Sequence, residues 1–414
     1  MKKKKLYGYI NSSLIIFLMF ASQAIWWSFF QIWLINKLGF SGSQVGIIFS
    51  FNSAVTLVLM LAYGMIQDRL RLDSKLLIFC AVLISLVGPF FTWIYEPLLK
   101  NMFSVGVVIG ALYIPAAFLA TAPLSETYAE KASRRFGFEY GDARAWGSLG
   151  YALATLGAGF LFTINPKLNF WGGTVLGIVF LIDAITSRKK MIAAEKNGTD
   201  EESSVPSFKE MVSVIKMPSL WLLIILTIFT WTFYTVFDQQ MFPQFYTSLF
   251  TNEAQGESLY GILNSAEVFC EAIMMLIVPL LMKKIGVKKT LLLGITVMFI
   301  RIGLCGIVKT PIAVSCIKML HSIEVPLFML SIFRYFTLHF DTKISATLYM
   351  VGFQIAAQIG QVILSTPLGS LRDKIGYRPT FIIISIIVLC ALIFAFFTLK
   401  KDDQDVEGEP LTNA

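Results

Sequence analysis

The chain is predicted to be an all-α integral membrane protein with twelve transmembrane helices in two six-helix bundles. Three observations predict it. Of its 414 residues 56% are hydrophobic and only 14% charged, and the mean hydropathy of +0.71 lies far from the balance of a soluble domain. Apolar runs of about 20 residues or more recur along the whole length, each long enough to cross a bilayer as a helix. The longest polar interruption, within residues 188–218, falls near the middle and leaves about six such runs on either side.

The first run, 9–36, follows Lys2, Lys3, Lys4 and Lys5. A basic start before an apolar stretch is also the pattern of a secretory signal, but this stretch is too long and lacks a small-residue cleavage site, so it is predicted as the first span. Runs at 45–67 and 76–98 are separated by the polar turn GMIQDRLR, which begins at Gly64. Runs at 104–129, 144–164 and 168–187 complete the first half, 1–187. The polar stretch 188–218 is predicted as a central cytoplasmic linker. The second half, 219–400, carries runs at 219–249, 258–282, 290–308, 312–337, 345–371 and 379–399, with KKIGVKK at Lys283–Lys289 between the eighth and ninth. Residues 401–414 are predicted to be a disordered cytoplasmic tail. This leaves no room for a soluble catalytic domain, and no Gly-rich phosphate loop with its Lys is present, so neither an enzyme nor a nucleotide-driven pump is expected.

The net charge is +8, and its distribution reads as topology rather than as an anionic partner. Basic residues crowd alternate loops: Lys2 to Lys5; Arg69, Arg71 and Lys75; Lys131, Arg134 and Arg135; the 188–218 stretch; Lys283, Lys284, Lys288 and Lys289; Lys343; Lys400 and Lys401. The intervening loops carry fewer: Lys37, Lys100, Lys167, Lys309, Arg372, Lys374 and Arg378. Both termini are therefore expected in the cytoplasm, in a multi-pass protein of the cell membrane. No nucleic-acid partner is implied. Cys80, Cys270, Cys305, Cys316 and Cys390 lie in apolar segments at irregular spacing, so buried free thiols are expected, with no disulfide framework and no metal site.

The chemistry is carried by ionisable residues at membrane depth: Glu126, Arg144, Asp238, Glu267, Glu271, Arg301, Lys318, His321 and Glu324. Each charge at a helix centre facing lipid costs about 2.5–3.5 kcal/mol. Several together exceed the roughly 5–15 kcal/mol that holds a fold. They must face one another or a wet cavity, which marks a path for a polar solute or a proton. Lys318, His321 and Glu324, spaced by three, fall on one broad face of the tenth helix. Glu267 and Glu271 lie one turn apart on the eighth, so both cannot ionise cheaply, and one is expected to be protonated or paired to Arg301.

Beginning at Ser125, SETYAEKASRRFGFEYGDARAWGSLGYA resembles the fourth-to-fifth helix region of the oligosaccharide:proton symporters of the major facilitator superfamily, the lactose and sucrose permease type. YTVFDQQMFPQFY from Tyr234, RIG from Arg301 and KMLHSIEVP from Lys318 stand in the order that family shows. The turns after the second and eighth helices resemble the facilitator loop signature incompletely. The first keeps Gly64, Asp68 and Arg69 but has Arg71 where a second Gly is usual, and the second has Lys283 in place of the Asp.

The resemblance implies a sugar site at Glu126, Arg144, Tyr151, Glu267, Glu271 and His321, and proton coupling by Glu324 with Arg301 and His321. Asp238 and Lys318 would be a charge pair between the seventh and tenth helices. Tyr151 could stack on a sugar face, as could Trp26 or Trp27, while His339 has no implied role. Where the lactose permease type has a further Asp–Lys pair, this chain has Thr235 and Ala357; losing both together leaves no orphan charge. Tyr151, Glu271 and that uncharged pair lean toward sucrose, with raffinose, melibiose or lactose as alternatives. The implied activity is proton-coupled symport of a disaccharide or oligosaccharide by alternating access, by a monomer with no cofactor but the coupling proton. A proton-coupled efflux antiporter of the same fold, or a sugar sensor that transports nothing, are the alternatives. The fifth helix, GSLGYALATLGAGFLF, lacks the proline-containing glycine motif of antiporters, and no output domain is evident.

Overall fold

The computed structural model of the chain describes residues 2–195, 211, 213–341, 344–406 and 409. Among them all regular elements are helices. Eleven are long and apolar enough to cross a membrane, and a bent pair supplies a twelfth. In chain order they are α1 Lys5–Lys37, α2 Gly42–Leu70, α3 Lys75–Ser85 with Val87–Asn101, α4 Phe103–Phe136, α5 Tyr140–Ile164 and α6 Lys167–Ala193. The second six are α7 Pro218–Gln240, α8 Glu253–Ile285, α9 Val287–Ile307, α10 Pro311–His339, α11 Thr347–Ile375 and α12 Tyr377–Thr398.

Proline and glycine explain where the helices depart from the predicted runs. The third span bends by 43° at the turn preceding Pro89, whose missing N–H and bulky ring break the helical ladder. The predicted 219–249 run ends at Gln240; Met241 leaves helical geometry, and Pro243 starts a separate short helix, Phe242–Thr247. At the other polar end, helix continues through the start of the predicted linker to Glu195. Residues 196–210 and 212 of that linker lie outside the described residues. The tail expected to be disordered departs from that expectation at its start: Asp402 accepts hydrogen bonds from the backbone N–H groups of Val287 (2.7 Å) and Lys288 (3.0 Å). Four orphan N–H groups open every helix, and here a distant carboxylate satisfies two of them. Residues 407, 408 and 410–414 lie outside the described residues.

The signature turns have a geometric basis. Arg71 takes φ +55°, the left-handed conformation that costs a side chain and that a glycine adopts freely. Gly286 after α8 and Gly376 after α11 have φ +91° and +85°, and each starts the next helix. The segment GSLRDKIGYR from Gly369 is thus a further copy of the signature that the sequence reading passed over.

The chain divides into two compact units. One comprises Met1–Phe40, Ile47–Val205 and Thr251–Val268; the other comprises Ser41–Gly46, Pro206–Phe250 and Phe269–Ala414. In the first, α1 packs between α5 and α6 around an aromatic core, with Trp26 against Phe30, Phe91 and Phe118 at ring distances of 5.5, 4.9 and 5.0 Å. Buried rings in such edge-to-face and tilted arrangements add about 0.5–1.5 kcal/mol per pair beyond their burial. In the second, α9 packs against α10 and α12. There the first turn of α2 meets the end of α11: Asp373 accepts from the N–H groups of Gly42 (2.7 Å) and Ser43 (2.8 Å). Outward-facing apolar side chains such as Leu276, Ile312 and Phe397 are the lipid-facing surface.

Candidate functional site

The second unit gathers most of the predicted charges into one buried cluster. On α7 a widened, π-type turn at Ile228–Thr232 precedes Tyr234 and Asp238, which lie one turn apart on the same face. On α9, Arg301 is completely buried. On α10 the helix tightens at Met319 and Leu320: Leu320 N–H bonds to Ile317 O, Ser322 to Met319 and Ile323 to Leu320, all three residues apart. A three-residue turn eclipses side chains at that spacing, so Lys318 and His321 point at one target.

That target is Asp238. Its Oδ1 receives Lys318 Nζ at 2.8 Å and Arg301 Nη1 at 3.0 Å, with His321 Nδ1 at 3.3 Å. Arg301 turns the rest of its fork to Glu324, Nε to Oε2 at 2.5 Å and Nη2 to Oε1 at 3.2 Å. Two carboxylates thus face two permanent cations, the balance that burial demands. Glu324 is fully buried with the bidentate geometry that makes Arg–carboxylate pairs strong. The Tyr234 hydroxyl reaches His321 Nε2 at 3.2 Å, and Glu271 stands 3.9 Å from the same nitrogen. The guanidinium also lies over the rings of Phe237 and Tyr234, at 5.0 and 5.4 Å.

The first unit holds the other predicted pair. Arg144 Nε meets Glu126 Oε1 at 2.5 Å, joining α5 to α4, and the guanidinium packs over Phe20 of α1 at 4.5 Å. Both side chains stay about one third exposed (34% and 31%), which leaves donors and acceptors free for hydroxyl groups. Tyr151, two turns further along α5, has its hydroxyl 3.5 Å from Ser28 of α1.

Pairing of Arg301 to an acid of α8, stacking by Trp26 and burial of Cys316 and Cys390 are corrected. Arg301 gives its hydrogen bonds to Glu324 and Asp238 and not to an acid of α8, and Glu271 Oε2 lies 3.9 Å from His321 Nε2. Glu267 is buried and belongs to the first unit, so the unit boundary falls between the two acids. Trp26 is a core residue, too buried to stack on a ligand. Cys316 and Cys390 are exposed on their helices, not buried. His339 bonds through Nδ1 to the Gln404 carbonyl at 2.6 Å. Thr235 and Ala357 are buried without charge, and the Thr235 hydroxyl donates to Trp231 O at 2.7 Å, so nothing is orphaned. The sequence reading missed Tyr234 as a partner of His321, although its place four residues before Asp238 was a usable signal. It also missed Asp183 of α6.

Helices long and apolar enough to cross a membrane, with a buried, mutually compensated charge cluster within the second unit, fit the class of membrane transporters. The profile of the LacY proton/sugar symporter family matches residues 1–409, and the chain belongs to that family. It is 41% identical to the sucrose permease of Escherichia coli over 402 residues, covering 96% of this chain and 95% of that one. The raffinose permease of Escherichia coli is 36% identical over 410 residues (97% and 96% covered), and the lactose permease of Klebsiella oxytoca 29% identical over 382 (91% of each). A crystal structure of the nucleoside transporter NupG superposes with a TM-score of 0.80 at 13% identity, covering 94% of this chain and 99% of that one. At that identity the likeness speaks for the all-α major facilitator type of fold alone.

Proposed function

We propose that the chain imports a disaccharide together with a proton by alternating access, with sucrose the first candidate, raffinose and melibiose next and lactose last. The observation that carries this reading is the Arg301–Glu324 pair. A carboxyl tied to a guanidinium holds no proton; the same carboxyl parted from it in a dry surround does. Any rearrangement that separates α9 from α10 would therefore load Glu324, and restoring the pair would release the proton. Asp238 keeps Lys318 and Arg301 as partners through that change, and His321, held by Tyr234, is the member of the cluster that contacts sugar. Arg144 and Glu126 bind sugar hydroxyls as fork and acceptor, Tyr151 stacks on a sugar face, and Glu267 and Glu271 serve the site from α8. Support for sucrose comes from the similarity to the sucrose permease and from the uncharged Thr235 and Ala357.

The membrane potential drives uptake: a proton crossing 100 mV contributes about 2.3 kcal/mol. No cofactor beyond the proton takes part, both termini lie in the cytoplasm, and the monomer is the working unit. The test is Glu324→Ala in transport-deficient cells, with labelled disaccharides in competition. The variant is expected to exchange internal for external sugar at the parental rate yet fail to accumulate it. Accumulation driven by an imposed pH gradient in that variant would refute the assignment.

A further inference from the structure

Asp183 lies on α6 towards the basic end of that span, outside the cluster described above, and is part-buried. Five residues separate it from Arg188, about 7.5 Å along the helix. Its recorded hydrogen-bond partner is a neutral one: Asn11 of α1 donates Nδ2–H to Asp183 Oδ2 at 3.3 Å. Asn11 is itself buried, 3% exposed, and its Oδ1 is a buried acceptor with no partner among the described residues.

Among the described side chains, the charged groups on the elements packed against Asp183 are engaged elsewhere or exposed. On α6, Arg188 donates to Asp73 at 2.6 Å and Lys190 lies over the Tyr7 ring at 5.5 Å; Lys189 is exposed. On α3, Lys75 pairs with Asp73 and Cys80 is buried. On α5, Arg144 pairs with Glu126. On α1, Lys5 is exposed, and Tyr7, one turn before Asn11, is the titratable group that faces Asp183. Among the described side chains a carboxylate here has one neutral donor and no cation in contact, and a charge partly withdrawn from water without a counter-ion carries a desolvation cost.

A carboxylic acid removes both problems at once. Its carbonyl oxygen accepts from Asn11 Nδ2 while its O–H donates to the orphan Asn11 Oδ1, forming a closed acid–amide pair with two complementary hydrogen bonds. We propose that Asp183 is a proton-binding site of the first unit, carried as the neutral acid and locked by Asn11, separate from the Arg301–Glu324 pair.

The test is infrared spectroscopy of the full chain in lipid, labelled with ¹³C-aspartate so that aspartic and glutamic acids separate. At neutral pH the parent is expected to show one protonated-aspartate carbonyl band that Asp183→Asn abolishes. That variant keeps a donor and an acceptor toward Asn11 and so preserves the fold, checked by circular dichroism. Asn11→Leu supplies an independent reading: the band persists but moves to higher frequency, because the acid has lost its amide. The proposal is overturned if no protonated-aspartate band is present in the parent, if the band survives Asp183→Asn, or if Asn11→Leu leaves its frequency unchanged. None of these readings depends on sugar transport, so their failure is distinct from failure of the proposed function.

Discussion

Replacing Arg301 with Met is the most demanding test of the buried cluster. The guanidinium makes two hydrogen bonds to Glu324, at 2.5 and 3.2 Å, and one to Asp238 at 3.0 Å. Asp238 would keep Lys318 at 2.8 Å, but Glu324, with no exposed surface, would lose both of these bonds. Removing one partner of a buried ion pair costs about 3–5 kcal/mol, because the group left behind must either stay charged without a counter-ion or take up a proton, as Glu324 does in the proposed coupling step. That is a fifth or more of a typical folding free energy of about 5–15 kcal/mol. Adding Glu324→Gln to Arg301→Met removes the orphan charge, leaving only a neutral amide whose unmet hydrogen bonds cost about 1–3 kcal/mol. The midpoint of denaturant or thermal unfolding, followed in mild detergent by tryptophan fluorescence, measures the difference. Arg301→Met should unfold far earlier than the parent, and the double variant should lie between them. A single variant with the parental midpoint, or a double variant no better than the single, would refute the reasoning.

Three further perturbations follow from named contacts. Arg144→Lys keeps the charge but loses the planar fork opposite Glu126; losing one charge-assisted hydrogen bond of about 1.5–3 kcal/mol should weaken sugar affinity roughly ten- to a hundredfold, and unchanged binding would remove Arg144 from the sugar site. Asp373→Ala deprives the N–H groups of Gly42 and Ser43 of their acceptor; the loss of about 0.5–2 kcal/mol for a capping group should lower the unfolding midpoint measurably, and an unaltered midpoint would count against the cap. Hydrogen bonds from Arg188, aided by Lys75, hold the Asp73 carboxyl below the usual carboxylate range. Its contribution to stability is full above the unfolded value of about 3.9 and is lost as pH falls through the lower folded value. Unfolding curves taken through the acid range should accordingly be less pH-dependent in Asp73→Asn than in the parent; equal dependence would contradict the pairing.

Most of the fold and much of the site were legible in the sequence because a bilayer makes charges conspicuous. Lys318, His321 and Glu324 stood out as ionisable groups in an apolar run, and their spacing of three placed them on one face. The spacing did not reveal that the helix tightens at Met319 and Leu320, which is what aims Lys318 and His321 at the same oxygen of Asp238. The resemblance already set Arg301 beside Glu324; what the sequence did not reveal is that the same fork also reaches Asp238 and not an acid of α8. Asp183 escaped notice as a solitary carboxyl near a basic helix end, with Asn11 far away in sequence as its complement. Gly376 illustrates a similar gap, since the signature copy around it was passed over in the sequence, and its left-handed turn is what matches it to those of Arg71 and Gly286.

Coupling of sugar to proton movement is tested most directly by adding sucrose to purified protein in lightly buffered liposomes and following the external pH. The external medium is expected to turn alkaline as protons enter with the sugar, and Glu324→Ala is expected to give no change. Acidification on adding sugar, or sugar entry with no proton movement in the parent, would contradict the assignment of Arg301 and Glu324 as the coupling pair.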